Sequence, residues 1–292
     1  MLFIRNAANV LCWFVPNHAL RDRIRKGSRR MTARFYVERS RAYIEGAPAV
    51  APVKDDKNEK IFAIWFQGED AAPPLVRSCF RSVRRNCPQP HVVLDDKTLF
   101  DYIDLPGAII DKYRRGQIER AHFADIARVE LMHTHGGFWL DATCFCTAPI
   151  PKNIVEQDFF LYRVPATFRS GYSFIQNCFI RSRKGAFLLD AWRHCILDYW
   201  MNEGKIFDYF MHQILFTEMV FGVERAARAF DEIPKIFQDP THMLWFDWAD
   251  KPFDKELFDR LTKDAFFQKT THKCAAAVNP KPGSFADVVV NM

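Results

Sequence analysis

Four side chains between Ala121 and Thr143 have the types and spacing to handle a charged ligand. Asp125 and Arg128 stand three apart in QIERAHFADIARVELMHTH (117–135). On a helix they leave one face together, among Ala121, Val129 and Met132. A carboxylate and a guanidinium in such apolar surroundings are costly unless they pair or engage a ligand. The spacing admits either a structural ion pair or a binding role. FWLDATCF (138–145) reads as a strand on which Trp139, Asp141 and Thr143 alternate onto one face. Asp141 then lies at or near a strand's carboxyl end. A carboxylate there can bind a divalent cation through hard oxygen, and such a cation would offset the charge of a diphosphate leaving group.

The surrounding pattern supplies elements to hold these groups. IFAIWFQG (61–68) reads as a buried strand and turn. Pro73 and Pro74 open a helix in which Leu75, Cys79 and Val83 recur at i, i+4, i+8. HVVLDD (91–96) is a second buried strand, and TLFDYIDL (98–105) a short helix. In the helix after Gln117, Phe123, Ala127 and Leu131 form an apolar stripe with Ile126 beside it, and Gly136-Gly137 supplies a left-handed turn at its end. Strand, helix and strand in alternation imply a mostly parallel sheet, with ligands gathering outside the carboxyl ends of the strands. No G-x-G-x-x-G or G-x-x-x-x-G-K-[ST] run is present, and no internal repeat stands out.

Composition narrows the class. The 292 residues are 49% hydrophobic and 15% aromatic, with 28 Phe, which suits a globular chain with a sizeable core. The first sixty residues hold 13 of the 41 Lys and Arg and 6 of the 35 Asp and Glu, so the body is nearly neutral and a nucleic-acid partner is disfavoured. Eight cysteines carry no C-x-x-C pair, and Cys144 and Cys146 read as core filler in a reduced, cytoplasmic protein. The opening MLFIRNAANVLCWFVPNHAL is too interrupted to span a bilayer and lacks a secretory-signal pattern. With the basic run RDRIRKGSRRMTARFYVERSR behind it, the segment suits either of two roles. It could lie on an anionic membrane surface through residues 1–45, or dock on the body through Leu2, Phe3, Val10, Leu11 and Phe14. The expected organisation is an N-terminal helical segment at 1–46, a linker at 47–60 and one α/β domain at 61–292.

AHFADIARVELMHTHGGFWLDAT resembles the bacterial capsular-polysaccharide-synthesis glycosyltransferases, related to the family 32 sugar transferases with a D-x-D motif. The matching positions are Asp125, Arg128, Gly136, Gly137, Trp139, Asp141 and Thr143. IWFQGEDAAPPLVRSCFRSV, FIQNCFIRSRKGAFLLDAW, QKTTHK and LCWFVPNHALRDRIR are also similar to family segments. The resemblance implies a GT-A-like domain that binds a nucleotide sugar and transfers its hexose to a surface glycan of capsule or lipopolysaccharide type, with retained anomeric configuration. Trp65 would stack on the donor base, with Gln67, Gly68 and Gly137 near the nucleotide. Asp125 and Arg128 would hold donor hydroxyls, and Lys269 and Lys273 would close over the diphosphate. Asp141 would bind Mn²⁺ or Mg²⁺, and Asn177 would lie near the reacting face.

Thr143 departs from the relatives' second carboxylate, so the metal would need another ligand such as His272 or Ser284. An Asp-nucleophile phosphatase fits less well, because D-A-T lacks that second Asp. The alternative is a non-catalytic descendant that binds a nucleotide sugar or serves in assembly. The acceptor would be an oligosaccharide or a lipid-linked glycan, and the location cytoplasmic or peripheral on the inner face of the cell membrane. His212 reads as a core or partner residue, and Trp245 and Trp248 as packing or sugar-stacking groups.

Overall fold

A computed structural model describes residues 10–48, 51–53, 59–165 and 174–292; Leu2, Phe3 and residues 49–50 and 54–58 of the expected linker lie outside the described residues. Seven strands are described: β1 (Ile61–Ile64), β2 (His91–Leu94), β3 (Gly137–Leu140), β4 (Cys144–Cys146), β5 (Phe159–Arg163), β6 (Ile175–Ser182) and β7 (Phe267–Lys269). Five build the main sheet, in the order β2-β1-β3-β6-β5. β1 pairs in parallel with β2 and β3, whereas β6 runs antiparallel to both β3 and β5. All of the main sheet except β6 therefore runs one way, as the alternating pattern implied.

β1 is buried at every position, which matches its unbroken apolar run. Successive side chains serve opposite faces: Phe62 joins the main core, while Ala63 meets Val76 and Phe80. Those two belong to α2 (Pro74–Asn86), which opens with Pro at its first helical position and buries Leu75, Cys79 and Val83. TLFDYIDL forms only a 3₁₀ turn at Leu99–Asp101. The Asp95 carboxylate accepts from the Lys97 and Thr98 amides, and Pro106 disfavours helix at the residue before it, so a longer helix has no room.

Helix α3 (Arg120–His135) buries Phe123, Ile126, Ala127 and Leu131 and ends at Gly136. Gly136 and Gly137 have φ of 68° and 94°. A Cβ at Gly137 would stand 2.5 Å from the Lys60 carbonyl oxygen, and one at Gly136 2.8 Å from the Lys184 amide nitrogen. The pair lets the chain reverse and lets β3 enter the sheet hard against the residue preceding β1.

The strand expected across 138–145 is in fact two. The chain leaves the main sheet after Leu140, and the Cys144 amide donates to the Asp141 carbonyl at 2.9 Å across a tight turn. β4 then pairs with β7 in a separate two-stranded sheet, Cys144 opposite Lys269. Asp141 and Thr143 are turn residues, not alternate positions of one strand, and the turn aims both at β7.

The basic N-terminal run forms α1 (His18–Gly46), capped by the Asn17 side chain. Ala33, Tyr36, Val37 and Ile44 join the main core. α1 lies against α4 (Phe187–Asn202) and α5 (Met211–Gly222). Arg30 and Arg34 both grip the buried Glu218 at 2.5 Å, Arg29 meets Asp208 at 2.8 Å, and Arg39 meets Asp198 at 2.8 Å. Much of the basic run is thus an ion-paired docking face. Ahead of it, Val10, Leu11, Trp13 and Phe14 are exposed, so these do not dock as the alternative required. No helix among the described residues is long and apolar enough to cross a membrane.

The cysteines are free, and all but the half-buried Cys274 are buried. Trp245 is buried with Phe145, Leu75 and Phe285 in a second core, where the half-buried Trp248 packs. Both tryptophans therefore serve packing.

Candidate active site

β1, β2 and β3 end on one edge of the sheet, and β6, running the other way, begins there. A cavity of about 620 Å³ opens at that edge, a volume in the range of small-molecule sites. β1 contributes Ile64 and the residues after it, Trp65 to Gln67; β3 leads into Asp141; β6 supplies Gln176 and Asn177; and α3 supplies His122, Asp125 and Arg128. Thr143, Lys269, His272 and Lys273 complete the far wall.

The chemistry centres on one chain of charges. Arg128, only 5% exposed, reaches Asp125 Oδ1 at 2.8 Å and Asp141 Oδ1 at 3.0 Å. Its guanidinium carbon lies 4.8 Å from the centre of the Trp139 ring, whose Nε1 donates to Asp141 Oδ1 at 2.8 Å. The Lys269 ammonium donates to Asp141 Oδ2 at 3.1 Å and to Thr143 Oγ1 at 2.5 Å. The Asp125/Arg128 spacing therefore yields an ion pair, and that pair lines the cavity.

Burial works against ionisation of Asp125, but the Arg128 charge beside it outweighs burial and holds the carboxyl below its usual range. Burial likewise favours neutral Lys269, and Asp141 reverses this, keeping the ammonium protonated above the usual lysine range. For the fully buried His212 burial outweighs the opposing pull of Asp125 and pushes the ring down to about 3, so it is neutral. Asn177 Nδ2 donates to Asp125 Oδ1 at 3.3 Å and also stands 3.3 Å from His212 Nδ1. His212 thus stands behind the site and backs Asn177. His272 is held below its ordinary value by burial and by the nearby charges of Lys273 and Lys269.

Of the sequence candidates, Trp65, Gln67, Asp125, Arg128, Asp141, Thr143, Asn177, Lys269, His272 and Lys273 all line this cavity. Gly68 and Gly137 do not. Gly68 turns the chain after β1 with φ of 86°, and Gly137 serves the close approach to Lys60. Ser284 also lies elsewhere, capping the helix Phe285–Asn291 through the Asp287 amide. Sequence inspection missed His122, Gln176, Tyr209, Gln213, Gln238 and His242. Each arrives from an element whose pattern reads only as helix, strand or loop. Buried atoms without a hydrogen-bond partner include Trp65 Nε1 and Gln176 Oε1, both on residues that line the cavity. Groups of this kind are costly unless a ligand or water engages them.

The residues expected to hold Mn²⁺ or Mg²⁺ do not fit a divalent cation as they are arranged. Asp141 has both oxygens engaged by Trp139, Arg128 and Lys269, and Thr143 Oγ1 already faces the Lys269 ammonium. The His272 ring packs edge-on against Trp65 at 5.2 Å. Among the described residues no three His, Cys, Asp or Glu side chains gather closely enough to hold an ion.

A cluster of this kind at the carboxyl edge of a mostly parallel α/β sheet suits a small, charged ligand. The chain belongs to the capsular polysaccharide synthesis protein family, whose model matches residues 17–287. It is similar to the O-glycosyltransferase braB of Annulohypoxylon truncatum, 26% identical over 180 residues, which is 56% of this chain and 42% of that protein. It is also similar to the O-glycosyltransferase PaGT of Phomopsis amygdali, 28% identical over 120 residues, covering 38% of this chain and 29% of that protein. The match thus spans less than half the length of either fungal relative. Among solved structures the chain shows likeness to the PaToxG glycosyltransferase, at 13% identity and a TM-score of 0.37, over 68% of this chain and 79% of that one.

Proposed function

We propose that this protein is a nucleotide-sugar-dependent hexosyltransferase of GT-A type that elaborates a surface glycan of capsule or lipopolysaccharide type. The observation that carries the proposal is the Asp125–Arg128–Asp141–Lys269 cluster inside the cavity, in a member of this family. Asp125, fixed by Arg128 and Asn177, presents carboxylate oxygen to donor hydroxyls. Lys269 and Lys273 offer positive charge to the diphosphate as it departs. Trp65 and Gln67 sit at the end of β1, where the base would rest.

We further propose that transfer proceeds with retention, the acceptor hydroxyl approaching from the side on which the diphosphate leaves. The two carboxylates that line the cavity among the described residues, Asp125 and Asp141, are each tied to Arg128. That favours the same-face route over a carboxylate nucleophile, with the leaving phosphate taking the acceptor's proton. The relatives' names specify transfer to oxygen, which fits a hydroxyl acceptor on an oligosaccharide or lipid-linked glycan.

The test is a panel of nucleotide sugars against the purified protein, read by calorimetry and by donor hydrolysis, repeated with Asp141→Ala. One donor bound and hydrolysed by the parent, and neither by the folded variant, is the expected result. A folded parent that binds no donor would leave the chain a non-catalytic member of its family.

Peripheral attachment to the cytoplasmic membrane face is part of the same proposal. Trp13 and Phe14 are 86% and 80% exposed, and Arg23 and Arg25, some ten residues on, are exposed as well. Deleting residues 1–45 would also strip Ala33, Tyr36, Val37 and Ile44 from the core. Trp13→Ser with Phe14→Ser is therefore the cleaner perturbation, and it should abolish sedimentation with anionic vesicles. Undiminished sedimentation would refute attachment through this turn.

A further inference from the structure

We infer that the Lys269 ammonium occupies the place of a divalent cation between Asp141 and Thr143, so that donor diphosphate is bound without metal. This rests on the nucleotide-sugar proposal above.

Placement comes first. Lys269 is the last residue of β7, opposite Cys144 in the β4–β7 ladder. The following residue, Thr270, donates to the Thr143 carbonyl from its amide and from its hydroxyl, both at 2.8 Å. The lysine backbone is therefore pinned beside the turn that carries Asp141 and Thr143. Its Nζ lies 3.1 Å from Asp141 Oδ2 and 2.5 Å from Thr143 Oγ1. A hard cation would have to take those same two oxygens at closer range. An ammonium and a dication cannot share that space, because their charges repel and each needs the same lone pairs.

The donor set points the same way. Asp141 Oδ1 is spent on Trp139 and Arg128, which leaves one carboxylate oxygen and one hydroxyl for an ion that prefers several hard oxygens.

Charge completes the case. Within the cavity lining, Asp125 and Asp141 face Arg120, Arg128, Lys269 and the exposed Lys273, and the His272 ring packs against Trp65. The lining is net positive before any ion is added, which suits a polyanionic diphosphate directly. Thr143 follows from this arrangement. A second carboxylate at that position would serve a dication, whereas a hydroxyl leaves Lys269 with charge to spare for phosphate.

The experiment is calorimetric titration of the full chain with uridine diphosphate and with guanosine diphosphate. Each titration is run in EDTA and then in Mn²⁺, for the parent, Lys269→Ala and Lys269→Arg. The parent should bind one nucleotide in EDTA, with an affinity that Mn²⁺ leaves within about threefold. Lys269→Ala should weaken binding in EDTA by about tenfold or more, and Mn²⁺ should restore part of it by entering the vacated space. Lys269→Arg keeps the charge and should bind in EDTA, which guards against a folding defect in the Ala variant. Manganese paramagnetic resonance should show free ion undiminished by the parent and depleted by Lys269→Ala.

A parent that binds nucleotide only with Mn²⁺ would overturn the inference and leave the transferase proposal standing. A folded parent that binds neither nucleotide under either condition would overturn the donor proposal itself, and this inference with it.

Discussion

Replacing Arg128 by Met removes a guanidinium that serves two carboxylates, and the two are left in different states. Asp141 keeps Lys269 and Trp139 as partners. Asp125 keeps only the Asn177 amide and the more distant His122, in a partly buried position. Breaking a buried pair by removing one partner costs about 3–5 kcal/mol, and the cost falls on Asp125. Without Arg128, burial meets only the weaker pull of His212 and His122 and raises the Asp125 pKa in the folded state, so the folded variant gains protons as pH falls. The deficit should therefore be largest near pH 8 and shrink towards pH 5, measured by urea unfolding at both values. Adding Asp125→Leu removes the orphan charge and should recover most of the lost stability. Donor binding should be lost in both the single and the double variant. A deficit below about 1 kcal/mol would refute the buried-pair argument. Donor binding regained in the double variant would show that the pair is structural alone.

Gly137→Ala should cost about 3 kcal/mol, combining the left-handed backbone with displacement of Lys60, while nucleotide affinity of the folded protein stays unchanged. Loss of binding at full stability would return Gly137 to the site. His212, depressed to about 3 when folded, binds a proton readily only when unfolded. Stability should fall as pH drops below about 6.5, and His212→Gln should flatten that slope by about 1.4 kcal/mol per pH unit between about pH 6 and 4. An unaltered slope would mean His212 titrates normally. Glu218→Gln, which weakens the grip of Arg30 and Arg34, should cost about 1–3 kcal/mol and speed trypsin cleavage within α1. Unchanged cleavage would mean that α1 is held by its packing and by the Arg29–Asp208 and Arg39–Asp198 pairs without need of Glu218.

The elements most readily read from sequence are those whose burial follows a simple period. The unbroken run of β1, the Leu75–Cys79–Val83 stripe and the Phe123–Ala127–Leu131 stripe all face the core. The charged residues were singled out by resemblance more than by spacing, which left Asp125 and Arg128 open to a plain ion pair, and Asp125, Arg128, Asp141, Lys269 and Lys273 all line the cavity. What sequence could not show was the break after Leu140. FWLDATCF alternates well enough to be one strand, and only pairing with β7, whose Lys269 lies 126 positions beyond Thr143, turns Asp141 away from the main sheet. The Lys269 ammonium that meets Asp141 was hidden for the same reason, since it lies far along the chain. Likewise, the acids that receive the α1 arginines, Glu218, Asp208 and Asp198, carry no local sign that they are partners.

The long separation between the two walls of the site bears on the order in which it can come into being. Asp125, Arg128 and Asp141 lie within one compact stretch and can take their places as soon as α3 and β3 pack. Lys269 reaches Asp141 across 128 positions, a late and entropically expensive closure. Until β7 docks on β4, the nascent cavity holds Asp125 and Asp141 against Arg128 and Arg120, without the Lys269 ammonium. Docking brings Lys269 and Lys273 into the lining and turns it net positive. Arrival of the final short strand therefore completes the charge of the site along with the body beneath it.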